Sequence, residues 1–93
     1  MKKVVWFHYN GCPFCRRAEQ ALKELTAENP AYASVEIERI EENEHPEIAE
    51  KYDYYGCPST FIDGVKLYEA TNRDDDAVIR AGIKRTLDAA LAG

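Results

Sequence analysis

Hydrophobic residues in the first half of the chain form one continuous run, one helical stripe and one alternating segment. Lys3–Tyr9 is rich in β-branched and aromatic residues, which is typical of a strand buried on both faces of a sheet. From Pro13 to about Ala27, apolar residues recur at the spacing of one helix face. Ser34–Ile40 alternates apolar with acidic residues, which is the period of a strand. We therefore expect a strand, a helix and a second strand.

The second half of the chain predicts a short helix, a hairpin and a closing helix. The segment from Pro46 to about Tyr52 has a proline near its first turn, where the missing N–H costs nothing. Ser59–Ile62 and Val65–Glu69 flank an Asp-Gly pair, which readily supplies the positive φ angles of a tight hairpin turn. From Ala77 to Leu91, apolar residues step by four along one face.

The resulting order, βαβαββα, predicts an α/β fold with a four-stranded mixed sheet and three flanking helices. We expect residues 1–93 to form a single domain. No apolar run approaches the ~20 residues needed to span a bilayer. The run Val4–Phe7 is interrupted by His8 too early for an export signal. These features predict a cytoplasmic protein, and we expect it to be a monomer.

Charge and cysteine content narrow the function. The formal net charge is −5 at pH 7 and the basic residues are scattered, so the chain has no basic footprint for nucleic acid. The chain has three cysteines, an odd number that cannot all pair with one another, and it has no recognisable export signal. Such a count favours reactive thiols or metal ligands in a reducing compartment over a disulfide scaffold.

The sequence Cys12-Pro13-Phe14-Cys15 stands where the first helix is predicted to begin. Two cysteines at this spacing can close a small disulfide ring and reopen it when another thiolate attacks. Unpaired N–H groups at a helix N-terminus stabilise a thiolate. Because Cys12 lies nearest that end, we expect Cys12 to attack a disulfide and the less exposed Cys15 to resolve the product. The pair could also form half of a zinc site, but its position after a buried strand favours redox chemistry without a bound metal or cofactor.

These residues resemble the thioredoxin and glutaredoxin superfamily, and Cys12-Pro13-Phe14-Cys15 is similar to the Cys-Pro-aromatic-Cys site of dithiol glutaredoxins. The resemblance covers nearly the whole chain. It implies a thioredoxin-like fold and a thiol-disulfide oxidoreductase that acts on disulfides of proteins or small molecules.

The segment from Cys57 to Gly64 is similar to the one in which this superfamily places a cis-proline facing the active-site sulfur, which implies that role for Pro58. The residue before that proline pairs with extended substrate segments through its backbone, a form of strand addition. The predicted substrate-binding residues are Tyr9, Pro13, Phe14, Cys57 and Pro58.

Two departures from the glutaredoxin pattern concern the reductant. Glutaredoxins usually carry Lys or Arg three residues before the first cysteine, where this chain has Tyr9. They also carry a Gly-Gly pair and an acidic residue after the hairpin, where this chain has Tyr68-Glu69-Ala70-Thr71-Asn72. We therefore expect reduction by a thioredoxin-reductase-type enzyme rather than by glutathione.

Cys57 leaves several interpretations open. If Pro58 faces Cys12, Cys57 lies near the same pocket and could form an alternative disulfide or act as a soft metal ligand. It could equally be a small buried apolar residue, because free cysteine packs well. The alternative to a redox enzyme is thus an iron-sulfur or other metal-binding module that uses Cys12, Cys15 and Cys57.

Overall fold

The computed structural model describes the whole chain, residues 1–93. The order βαβαββα is confirmed, with an additional 3₁₀ segment at Pro30–Ser34. The strands are β1 (Val4–His8), β2 (Ile37–Glu41), β3 (Ser59–Ile62) and β4 (Val65–Glu69), and the helices are α1 (Pro13–Glu28), α2 (Pro46–Ala49) and α3 (Asp76–Ala92). No helix has both the length and the apolar character needed to cross a membrane.

The strands form one mixed sheet in the order β2-β1-β3-β4. β1 and β2 run parallel, whereas β3 runs antiparallel to both β1 and β4. Phe7 near the end of β1 lies opposite Ser59 at the start of β3. The loop that leaves β1 and the loop that enters β3 therefore meet at the same edge of the sheet.

Side chains of β1 alternate between the two faces of the sheet, and each face supports a separate hydrophobic cluster. Val4 and Trp6 pack with α1 and α3 in the larger cluster, and Phe7 belongs to the smaller one, which α2 covers. This agrees with the continuous apolar run predicting a strand buried on both faces. The smaller cluster also contains Cys12, Cys15 and Cys57.

Two predicted boundaries are wrong, the first because of a local side-chain cap and the second because of aromatic packing against other strands. β2 begins at Ile37 rather than at Ser34, because Pro30–Ser34 is a 3₁₀ segment. Asn29 caps that segment by accepting the Ala31 amide at 3.2 Å. α2 ends at Ala49 rather than near Tyr52, because the Tyr52 ring packs edge-on against Phe7 and Phe61 at centroid distances of 4.8 Å.

Candidate active site

Cys12 is the N-cap residue of α1. Its backbone is extended, with φ −72° and ψ 115°, and its Sγ accepts the Cys15 amide at 3.2 Å. Gly11 before it has φ +88°, a conformation that L side chains rarely adopt, so glycine is needed to turn the chain into the helix. Pro13 follows at the first helical position, where no amide donor is required. The local sequence thus directs one free N–H of the helix at the Cys12 sulfur.

The segment before β3 covers Cys12. The Cys12 thiol donates a hydrogen bond to the Cys57 carbonyl oxygen, with a sulfur-to-oxygen distance of 3.6 Å. The Cys57–Pro58 peptide bond is cis, and Pro58 is fully buried. As a result Cys12 is 1% exposed and Cys15 is 7% exposed. Both thiols are therefore buried, and the burial of Cys12 was not expected, since sequence spacing does not reveal what the distant loop covers.

The pKa values of the two thiols also differ from the expected order. Hydrogen bonds from the Cys57 and Cys12 thiols lower the pKa of Cys15 to about 7, against the opposing effect of burial. Burial raises the pKa of Cys12, although the Cys15 amide opposes this. Because the two thiols interact closely, they titrate as a pair that loses its first proton near neutral pH.

Cys57 contacts a carboxylate as well as the dithiol. Its thiol donates to Glu42 Oε1 at 3.2 Å, and the Tyr54 hydroxyl donates to the same oxygen at 2.8 Å. The pKa of Cys57 is raised by its hydrogen bond to Cys15, by burial and by the Glu42 charge. Cys57 therefore stays protonated beside Glu42.

Glu42 did not emerge from the sequence as a site residue, because Glu41-Glu42-Asn43-Glu44 reads as a polar loop. A signal was nevertheless present. Glu42 directly follows β2, which lies parallel to β1, and parallel strands end at the same edge of a sheet. The Glu42 amide donates to the His8 carbonyl oxygen at 2.8 Å, which fixes Glu42 beside the loop that carries Cys12.

The other predicted substrate-binding residues surround the dithiol. The partly exposed Tyr9 side chain lies beside Cys12, and the Cys12 thiol raises the pKa of the Tyr9 hydroxyl. Pro13 is exposed, and Phe14 is half-buried beneath the Arg17 guanidinium, 5.2 Å from the ring centroid. A groove beside Cys12 and Cys15 is lined by His8, Tyr9, Arg16, Glu19 and Lys23, among others.

Glu69 at the end of β4 holds the Cys57 loop in place. Its Oε2 accepts the Tyr55 amide at 2.8 Å and the Gly56 amide at 2.7 Å, while Lys66 pairs with Oε1 at 2.7 Å. A Cβ on Gly56 would lie 2.5 Å from the Ala70 carbonyl oxygen, so only glycine fits there. The loop is thus tied to β4 through backbone atoms, which fixes the position of the Cys57 carbonyl over Cys12.

No group of three or more His, Cys, Asp or Glu side chains has an arrangement that could hold a metal ion. All three cysteines are free thiols. The arrangement brings a helix-capping sulfur, a neighbouring thiol of lowered pKa and a protonated third thiol into one pocket.

Adjacent thiols at the start of a helix that follows a central parallel strand define a thioredoxin-like thiol-disulfide oxidoreductase. The model of the glutaredoxin family matches residues 4–67, which is more than half of the chain. The chain therefore belongs to the glutaredoxin family. No curated protein matches the sequence at a significant level.

Solved structures share the fold at low sequence identity. Mitochondrial thioredoxin 3 from Saccharomyces cerevisiae, in its oxidized form, has a TM-score of 0.60 at 24% identity, covering 89% of this chain and 76% of its own. A malarial protein has a TM-score of 0.58 at 16% identity, with coverages of 90% and 94%. A mutant thioredoxin from Halobacterium salinarum has a TM-score of 0.55 at 20% identity, with coverages of 90% and 73%. The predicted thioredoxin-like fold is confirmed.

Proposed function

We propose that this protein reduces disulfide bonds of proteins or small molecules through a dithiol/disulfide cycle of Cys12 and Cys15. The observation that carries the proposal is the placement of the Cys12 sulfur at the N-cap of α1, 3.2 Å from the Cys15 amide. That amide stabilises negative charge on Cys12, both as it attacks and as it leaves. With the pKa of Cys15 lowered to about 7, the pair loses its first proton near neutral pH.

The cycle consists of two displacements. The Cys12 thiolate attacks one sulfur of the substrate disulfide, which forms a mixed disulfide and releases the first substrate thiolate. The Cys15 thiolate then attacks the Cys12 sulfur, which closes the Cys12–Cys15 disulfide and releases the second substrate thiolate. Two electrons pass from the protein to the substrate, and both released thiolates take up protons.

Substrate binding requires the Cys12 thiol to give up its hydrogen bond to the Cys57 carbonyl oxygen. We propose that an extended substrate segment then pairs with the Cys57 backbone, beside Pro58. Tyr9 lines the groove beside Cys12, and the exposed Pro13 and half-buried Phe14 lie between the two cysteines in the chain, so these side chains offer apolar contact area next to the dithiol. The Cys12 sulfur is then accessible only to a substrate that displaces the Cys57 carbonyl oxygen from it.

A thioredoxin-reductase-type enzyme is the proposed reductant. Tyr9 stands where glutaredoxins usually carry a cation, and its neutral hydroxyl, whose pKa is raised by Cys12, offers no positive charge to a glutathione carboxylate. After the hairpin, the Thr71 amide and hydroxyl both donate to the Asp74 carboxylate, at 3.3 Å and 2.8 Å. The Thr71 groups are thus engaged within the chain and are not free to receive glutathione. We further propose that the protein works as a cytoplasmic monomer without a bound cofactor.

Insulin reduction tests the cycle, and the oxidised protein tests the reductant. We expect Cys12→Ser to abolish insulin reduction, whereas full activity in this variant would refute the cycle. We expect the oxidised wild-type protein to be reduced faster by a thioredoxin reductase than by glutathione. Efficient turnover with glutathione would contradict the proposed reductant and leave the dithiol cycle intact.

A further inference from the structure

Two unpaired cations line the groove beside the dithiol. The chain has 12 lysine and arginine residues, and seven of them form ion pairs with carboxylates. Arg16 and Lys23 both line the groove, both are exposed, and neither belongs to any of these pairs. The positive charge of the groove is therefore available to a ligand.

The carboxylate that lines the same groove is already neutralised. Both oxygens of Glu19 accept from the Arg39 guanidinium, at 2.7 Å and 2.9 Å. Because the Arg39 charge cancels that of Glu19, the charges of Arg16 and Lys23 remain uncompensated. The chain as a whole has a formal net charge of −5. The groove is thus a positive region on a negative molecule.

The excess negative charge lies on the other side of the dithiol. Residues 41–55, which run from the end of β2 through α2 towards Cys57, contain six acidic residues and one lysine. Their net charge of −5 equals that of the whole chain. α2 covers the sheet face opposite to the one on which α1 packs. A charged substrate segment is therefore attracted to one side of the thiols and repelled from the other.

The two cations follow one face of α1, beginning directly after Cys15. Arg16, Gln20 and Lys23 are spaced by four and then three residues, which places them on the same helix face. At the rise of an α-helix, Arg16 and Lys23 are about 10 Å apart along the axis. An extended polypeptide covers that distance in about three residues. A single carboxylate cannot contact both cations, whereas an acidic polypeptide segment can.

We propose that this groove receives an acidic segment of the substrate protein, with one carboxylate beside Arg16 and a second beside Lys23. The inference rests on the proposed dithiol cycle and names its substrate class, a protein disulfide flanked on one side by Asp or Glu. Neither Cys57 nor Pro58 lines the groove. The acidic segment therefore lies across the disulfide from the residues that pair with the Cys57 backbone.

The size of the effect follows from the exposure of both cations. Exposed ion pairs are individually weak and are screened by salt. We therefore expect each cation to raise kcat/KM for an acidic substrate about threefold, and the two together about tenfold. Both contributions decrease as the ionic strength rises.

The test uses peptides whose single cysteine forms a mixed disulfide with an uncharged pyridyl thiol, which leaves as a coloured thione when Cys12 bonds to the peptide sulfur. One peptide has glutamate at the first and fourth positions from the cysteine, a second has glutamine at both, and a third has glutamate at the first and lysine at the fourth. Each is made with these residues on the amino or the carboxyl side. Division by the rate with dithiothreitol corrects for the intrinsic reactivity of each peptide.

For the wild-type protein, we expect the diglutamate peptide to react about tenfold faster than the diglutamine peptide in one of the two orientations. Arg16→Gln and Lys23→Gln each lower this ratio about threefold, and the double variant abolishes the preference. Lys23→Glu instead prefers the peptide with glutamate at the first position and lysine at the fourth. The matched control is Arg73→Gln, which removes an exposed, unpaired charge outside the groove and leaves the ratio unchanged.

Equal corrected rates for the diglutamate and diglutamine peptides in both orientations would overturn the proposal, and so would a wild-type ratio in the double variant. An equal fall of the ratio in Arg73→Gln overturns it as well, because net charge and not the groove would then determine the preference. If the wild-type protein releases no thione from any peptide, the proposed dithiol cycle itself is refuted.

Discussion

At the scale of single residues, the site depends on which neighbour stabilises each sulfur. The Cys12 sulfur accepts a hydrogen bond from the Cys15 amide, the neighbouring Cys57 and Cys12 thiols lower the pKa of Cys15, and the Cys57 thiol donates to Glu42. A thiol donor stabilises a thiolate because hydrogen bonds to charged groups are stronger than those between neutral groups. Cys57 is therefore more than a small apolar residue, since it affects how readily Cys15 ionises.

Replacing Cys57 by valine, which is of similar size but has no donor, tests this effect on Cys15. Loss of a donor to the charged form raises a pKa, so we expect the first ionisation of the Cys12–Cys15 pair to rise from about 7 by about one unit. Ultraviolet absorbance of the thiolate as a function of pH measures this shift. Cys57→Ser is the control that keeps a donor, and an unchanged value in Cys57→Val would show that Cys57 does not stabilise the thiolate.

At the scale of elements, the site depends on the connection between β4 and the loop that enters β3. Burial opposes ionisation of Glu69, but Lys66 and the amides of Tyr55 and Gly56 outweigh it and lower the pKa of this carboxyl. A carboxylate whose pKa is lowered on folding stabilises the fold above its unfolded pKa, and that stabilisation is lost as the pH falls through the folded pKa. The contacts of Glu69 with Lys66 and with the Tyr55 and Gly56 amides, which anchor the loop, are therefore intact at neutral pH.

Glu69→Gln weakens this anchor by removing the charge that the two amides contact. We expect hydrogen exchange at the Tyr55 and Gly56 amides to accelerate about tenfold or more, because bonds to a charged acceptor contribute about 1.5–3 kcal/mol. We also expect a higher KM for disulfide substrates, since the Cys57 carbonyl is positioned by this loop. Glu50→Gln, at an exposed position, is the control. Unchanged exchange in Glu69→Gln would contradict the anchoring role.

The elements themselves could be predicted wherever one local signal was sufficient. The Asp-Gly turn is confirmed, with φ 51° at Asp63 and 79° at Gly64, and α1 begins at Pro13 as expected. Two boundaries were not predicted. The Asn29 side-chain cap determines the 3₁₀ segment, and packing of Tyr52 against Phe61 on a distant strand determines where α2 ends. Likewise, the sequence predicted Cys12 and Cys15 as the reactive pair, but their burial and the contact between Cys57 and Glu42 depend on how separate loops meet.

At the scale of the whole molecule, two hydrophobic clusters lie on opposite faces of one sheet and share β1. Leu87 on α3 is 1% exposed in the larger cluster, whereas the thiols belong to the smaller one. Because alternate residues of β1 contribute to both clusters, neither cluster can be lost without the strand that supports the other. We propose that residues 1–93 unfold as one cooperative domain.

Leu87→Ala tests this cooperativity from the side away from the active site. We expect a loss of about 2–5 kcal/mol in the free energy of unfolding, because a buried leucine is replaced by a cavity. Denaturation followed by Trp6 fluorescence, by far-ultraviolet circular dichroism and by the reactivity of the thiols should give one coincident transition. Separate midpoints for Trp6 and the thiols would contradict a single cooperative domain.

The most direct test of the dithiol cycle is identification of the sulfur that first bonds to substrate. In Cys15→Ser the mixed disulfide cannot be resolved, so a disulfide substrate should remain attached to the protein. We expect peptide mass spectrometry to locate that adduct on Cys12, with no adduct on Cys57, and to find none in the Cys12→Ser, Cys15→Ser double variant. An adduct on Cys57, or no adduct at all in Cys15→Ser, would contradict Cys12 as the attacking thiol.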